Sequence, residues 1–204
     1  MQLMKKEPMV EKIYGLVLCG GKSTRMGKDK GSIVYHGLPQ REHLFGLISA
    51  LCDRTFYSIR EDQINDLPPD SQYILDTNKY KGPYNGILSA HEKYPGVAWL
   101  VVACDLPFMD MGTLKLLIAE RDRGSVATAF ATRESGLPEP LAAIWEPAGL
   151  IKSKDYLEQG STTCPRKFLI NSETALVMPE LDRVLINANS MADYEAALSK
   201  LISK

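Results

Sequence analysis

"GLVLCGGKSTRMGKDKG", residues 15–31, runs from a continuous apolar stretch into two glycines and then into a cluster of positive charge. An apolar run with no polar alternation suits a strand covered on both faces, as in a parallel sheet. "WLVVACDLPF", residues 99–108, repeats the pattern and ends on Asp105. Shorter runs rich in β-branched and aromatic residues lie at 55–59, 73–75 and 126–131. Helical spacing falls between them: Leu44, Leu47, Ile48 and Leu51 stand at i, i+3, i+4 and i+7, and 85–94 and 111–120 are further helical segments. Strand and helix in alternation predict an α/β fold with a mostly parallel, doubly wound central sheet.

The second half is less regular. Residues 141–145 and 175–178 read as strands, and Pro138, Pro140, Pro147, Pro165 and Pro179 mark loops and helix starts. Ser190 is placed to cap a last helix, with Asp193 in its first turn and Tyr194, Leu198 and Leu201 as its apolar stripe. One domain over 1–204 accounts for the length, read as two halves, 1–110 and 111–204.

The 204 residues carry 24 Lys and Arg against 25 Asp and Glu, intermixed along the chain. With no basic run or basic amphipathic helix, neither nucleic acid nor an anionic membrane is the expected partner. The charged segment 1–12 has no apolar core of a secretory signal, and a cytoplasmic, soluble protein is expected. Cys19, Cys52, Cys104 and Cys164 show no paired metal-ligand spacing; Cys19 and Cys104 sit in apolar runs and read as buried thiols without a disulfide.

Gly20 and Gly21 let the backbone turn and approach a ligand with no Cβ in the way. Successive N–H groups in such a turn form an anion-binding concavity, and Arg25, Lys28 and Lys30 arrive within ten residues. The stretch lacks both the G-x-x-x-x-G-K-[ST] and the G-x-G-x-x-G spacing, which disfavours a P-loop or a dinucleotide site. Asp105, emerging at the carboxyl edge of its strand, suits Mg²⁺, a hard cation that takes few protein ligands alongside phosphate oxygens. A solvated basic turn and a turn-capping aspartate are the plainer alternatives.

Gly20, Gly21, Ser23, Arg25, Met26, Gly27, Asp29 and Lys30 together resemble the signature of nucleotidyltransferases that attach a nucleotide to molybdopterin, the molybdenum cofactor guanylyltransferase family. Further matches follow in order: Asp76, Gly82-Pro83 and Gly86 in "GPYNGI", Asp105-Leu106-Pro107, Pro140-Leu141, and Asn187 with Asn189. Residues 142–186 match weakly. The resemblance implies a Rossmann-like nucleotidyltransferase fold and transfer of GMP from Mg-GTP to the terminal phosphate of molybdopterin, releasing pyrophosphate. Leu18, Cys19, Gly20, Gly21, Asp76 and Gly82 would then line the nucleotide, Arg25 and Lys30 hold its phosphates, and Asp105 bind nucleotide and Mg²⁺. Asn187 and Asn189 would lie near the metal and the acceptor phosphate. The product's route implies transient contact with proteins that deliver or receive the cofactor.

The chain departs from that pattern after the second strand. An asparagine that touches the nucleotide is replaced by Ser58-Ile59-Arg60-Glu61-Asp62, leaving Arg60 or Asn65 as substitutes. CTP-using relatives read Ala-Ala-Gly where this chain has Cys19-Gly20-Gly21, so by resemblance the glycine pair favours guanine. Lys152 and Lys154 read as solvated, Arg166 and Lys167 as either acceptor contacts or a surface turn beside a core Phe168, and 132–140 as either a cover over the acceptor or a plain connection. His36, His43 and His91 carry no metal or acid–base spacing. A CTP- or sugar-phosphate-directed transferase and a non-catalytic nucleotide-binding module are the competing readings.

Overall fold

A computed structural model describes residues 12–21, 29–160 and 163–202. Among these residues seven strands form one sheet in the order β3-β2-β1-β4-β6-β5-β7. They are β1 (Ile13–Leu18), β2 (Arg54–Ile59), β3 (Tyr73–Leu75), β4 (Ala98–Ala103), β5 (Ala127–Ala131), β6 (Pro138–Trp145) and β7 (Thr174–Val177). β6 alone runs antiparallel to its neighbours β4 and β5, and the other pairings are parallel.

Alternate side chains of the central strands feed two apolar layers. Val17, Leu100, Val102 and Ile144 pack with α1 (Gln40–Ser49) and α3 (Met111–Ala119); Leu16, Trp99, Val101 and Trp145 pack with α2 (Tyr84–Lys93), α4 (Pro147–Glu158) and α5 (Pro165–Ile170). All six β4 residues are buried, which is why that run carries no polar alternation. A third cluster joins Tyr35, Phe108 and Ala188 to Ala197 of α6 (Met191–Ile202), with Tyr194 and Leu201 beside them. Ser190 and Asp193 cap α6 reciprocally: Asp193 Oδ2 accepts from Ser190 N at 2.9 Å, and Ser190 Oγ accepts from Asp193 N at 3.2 Å.

Pro147 and Pro165 each open a helix, where a missing N–H costs nothing. Pro138 and Pro140 do not mark a loop; they lie in β6. The β5–β6 register shifts between Ala129 and Phe130, and such an irregularity tolerates residues that cannot donate to the ladder. The chain passes from β1 outward through β2 and β3, then returns to the other side of β1 as β4. That reversal puts a topological switch point between β1 and β4, and open α/β sheets bind ligands at the carboxyl ends of such strands. Among the described residues no helix is long and apolar enough to cross a membrane.

Candidate functional site

A cleft of about 460 Å³ opens at that switch point, and its walls include Leu18, Cys19, Gly20, Gly21, Lys30, Asp76, Gly82 and Asp105. The two predicted motifs thus meet. Cys19 and Cys104, one residue beyond β1 and β4, place their Sγ atoms 3.1 Å apart as free, buried thiols on the cleft floor.

Asp105 follows β4, and its side chain is 16% exposed. Its Oδ2 lies 3.6 Å from Lys30 Nζ, while its Oδ1 is buried without a hydrogen-bond partner among the described residues. Burial raises the Asp105 pKa, and the Lys30 ammonium opposes the rise. Lys30 also donates to Asn189 Oδ1 at 2.5 Å, and Ala188 N donates to the Asp105 carbonyl at 2.8 Å. The segment before α6 is therefore fastened to the loop after β4. Asn189 joins the Lys30–Asp105 pair; Asn187 is half-buried, with no side-chain hydrogen bond among the described residues.

Asp76 follows β3. Ser58 Oγ donates to its Oδ1 at 2.7 Å, and a Cβ on Gly20 would stand 2.2 Å from its Oδ2. Only a glycine allows this carboxylate to rest on the loop. Burial raises the Asp76 pKa against the Ser58 hydrogen bond and the Arg60 charge. Across the cleft, Gly82 takes φ +61° and leads into the first turn of α2, whose positive end faces the same space.

Several supporting residues were not legible as such. Gln40 Nε2 donates to Leu106 O at 3.0 Å, and His36 Nε2 lies 2.8 Å from Pro107 O, so both brace the Asp105 loop from below. His36 stacks on His43 at 3.9 Å. Asp29 accepts from Gly31 N at 2.8 Å and from Gln63 Nε2 at 2.5 Å, fixing the far end of the glycine loop. Asn78 and Asn85 line the cleft, and Asn85 Oδ1 is buried without a hydrogen-bond partner among the described residues. The histidine and glutamine contacts join segments 34 to 71 residues apart, a distance over which no local pattern reports.

Of the remaining candidates, Arg25, Lys28 and the rest of 22–28 lie outside the described residues. Arg60 reaches the cleft, whereas Asn65 is exposed on the 3-10 turn Glu61–Asp66 and does not. Arg166 is engaged by Glu139 and by Pro138 O at 3.0 Å, and Phe168 is in the core. Arg133 ties the 132–137 turn to Asp182 and Glu180. Lys152 is exposed, and Lys154 sits 3.9 Å from Glu92.

Among the described residues, no group of three or more His, Cys, Asp or Glu converges as a metal cage. A hard cation that takes one carboxylate and completes its shell with phosphate oxygens and water still suits the unpartnered Asp105 Oδ1.

The model of the MobA-like NTP transferase domain matches residues 15–175. A molybdenum cofactor biosynthesis bifunctional protein of Synechocystis is 37% identical over 89% of this chain, which spans 52% of that longer protein. A molybdenum cofactor guanylyltransferase of Pseudomonas aeruginosa is 30% identical over 76% of this chain and 78% of its own length. The solved structure of molybdopterin-guanine dinucleotide biosynthesis protein A from Archaeoglobus fulgidus superposes with a TM-score of 0.74 at 19% identity, covering 94% of this chain and 100% of that one; at that identity it speaks for the fold. The glycine loop, Asp76 and Asp105 all fall inside the matched span and meet at one cleft, and the chain belongs to the family of MobA-like NTP transferases.

Proposed function

We propose that the protein transfers GMP from Mg-GTP to the terminal phosphate of molybdopterin, releasing pyrophosphate and forming molybdopterin guanine dinucleotide. The observation that carries this reading is the buried Oδ1 of Asp105, without a hydrogen-bond partner among the described residues, on a carboxylate whose other oxygen lies 3.6 Å from Lys30 Nζ and which shares one cleft with Gly20 and Gly21. The names of the relatives from Synechocystis and Pseudomonas aeruginosa supply the acceptor and the nucleotide.

The reaction needs no protein nucleophile. An oxygen of the acceptor phosphate, anionic at neutral pH, forms the new bond to the α-phosphorus while the bond from that phosphorus to the β-bridging oxygen breaks. Catalysis then rests on positioning and on offsetting charge. The backbone of Leu18, Cys19, Gly20 and Gly21 cradles the nucleotide with Asp76 and Gly82, and Arg25 and Lys30 offset charge on the departing pyrophosphate. Asp105 would hold Mg²⁺, which when bound neutralises phosphate oxygens and draws donor and acceptor together. Asn189, on Lys30, and Asn187 face the acceptor phosphate; the acceptor lies toward the half formed by 111–204.

The resemblance leaves the place of a nucleotide-contacting asparagine to Arg60 or Asn65, so base choice is the point to test. With Mg²⁺ and molybdopterin supplied, GTP, CTP and ATP are compared for nucleotide attached to pterin. GTP-selective transfer is expected. CTP selectivity would move the assignment to cytidylyl transfer, and tight nucleotide binding without transfer would mean another acceptor or a binding module.

A further inference from the structure

Three consecutive carbonyls of the glycine loop are gripped from one side by the turn that follows β2. Gln63 Nε2 donates to Cys19 O at 3.1 Å, and Arg60 Nη1 donates to Gly20 O at 2.7 Å and to Gly21 O at 3.3 Å. A trans peptide sets its C=O and N–H on opposite sides, and the described residues contain no cis bond. Holding the Cys19 and Gly20 carbonyls therefore turns the N–H groups of Gly20 and Gly21 the other way. Neither amide donates to a protein acceptor among the described residues, whereas the Cys19 amide is used on Ser58 O at 2.9 Å.

Arg60 is itself held. Its Nε and Nη2 donate to Asp62 Oδ1 and Oδ2 at 2.9 and 3.0 Å, a bidentate pair that aims Nη1 at the loop. Gln63 is fixed too, since its Oε1 accepts from Arg60 N at 3.0 Å and its Nε2 also reaches Asp29. The guanidinium is thus spent mainly on protein oxygens, although it borders the cleft where a phosphate would sit.

We infer that Arg60, oriented by Asp62 and seconded by Gln63, is a positioning residue: it presets the Gly20 and Gly21 amides as donors for the nucleotide's phosphate oxygens, instead of touching base or phosphate itself. This rests on the nucleotide reading above. The arrangement couples an exposed carboxylate, Asp62, to nucleotide affinity through two relays.

Calorimetric titration with Mg-GTP, in the absence of any acceptor, tests it on the full chain. Arg60→Ala weakens binding about tenfold or more, the scale of losing charge-assisted hydrogen bonds that organise a site. Arg60→Lys behaves like Arg60→Ala, because a point charge on a flexible stem cannot span two carbonyls and Asp62 together. Asp62→Ala weakens binding about threefold, in line with an exposed bidentate pair, and adds nothing in the Arg60→Ala background. Wild-type affinity in Arg60→Lys would make Arg60 a direct phosphate cation and overturn the inference. An Asp62→Ala effect that is nil, or that persists in full without Arg60, overturns it as well. Asp62 is 69% exposed on its side chain, so its variant keeps a wild-type melting temperature and the cycle can be read. A wild-type protein that binds none of Mg-GTP, Mg-CTP and Mg-ATP would remove the nucleotide reading and this inference together, whereas binding that no variant alters removes this inference alone.

Discussion

Asp105→Asn should leave a protein that is more stable and far less active. The Lys30 ammonium at 3.6 Å attracts the Asp105 carboxylate by about 4–5 kcal/mol at an effective dielectric of about 20. Burial nevertheless raises the Asp105 pKa from its ordinary 3.8, so desolvation outweighs that attraction and the charge is a net cost to the fold. A carboxyl with a raised folded pKa binds its proton more readily in the native than in the unfolded state, and its stability contribution falls as pH rises from 3.8 through the raised value. Above the raised value the full penalty is present. Asparagine keeps the shape and removes the charge, and a gain of about 1 kcal/mol would appear as a rise of roughly 2–4 °C in Tm. The gain shrinks as pH falls toward 3.8, where the wild-type carboxyl is protonated. Turnover falls about 10²-fold or more, the scale of losing one key electrostatic element. Differential scanning fluorimetry across pH, alongside single-turnover transfer, measures both. A Tm lowered at pH 7 together with retained turnover would refute the reasoning, because Asp105 would then be a structural half of an ion pair with no part in the chemistry.

Two further outcomes follow from the same geometry. Gly86→Ala places a Cβ 2.2 Å from Ser58 Oγ and 2.7 Å from Leu18 Cδ2, so it pushes Ser58 off Asp76; urea unfolding should show a loss of about 1–3 kcal/mol, larger than the helix-propensity gain of ~1 kcal/mol. His43 is held down to about 4, by burial first and then by His36, so it stays neutral in the fold where the unfolded chain takes up a proton near 6.5. Its contribution is complete above pH 6.5 and is lost as pH falls toward about 4, and a Tm series over that window should decline less steeply in His43→Gln.

Much of this site could be read from the chain because its chemistry sits at strand ends. β1 and β4 are continuous apolar runs, and each terminates in a residue type with one obvious use, a glycine pair or an aspartate. The start of β6 was hidden because Pro138 and Pro140 suggest a loop, and only the irregular β5–β6 register makes room for them. The braces under the loops were hidden for a different reason. His36, Gln40 and Gln63 act through hydrogen bonds to backbone carbonyls far along the chain, and such contacts leave no periodicity or spacing behind. Arg60 was legible only beside Asn65 as one of two substitutes for an asparagine, and its direction was not: the pairing with Asp62 turns it onto the loop.

Following the phosphorus atoms tests the central claim most directly. GTP labelled at the α-phosphate or at the γ-phosphate is incubated with the protein, Mg²⁺ and molybdopterin, and the pterin product and released phosphates are separated. Nucleotidyl transfer predicts the α-label on the pterin and the γ-label in pyrophosphate. A γ-label on the pterin, or release of the γ-label as inorganic phosphate with none of the α-label transferred, would contradict the account.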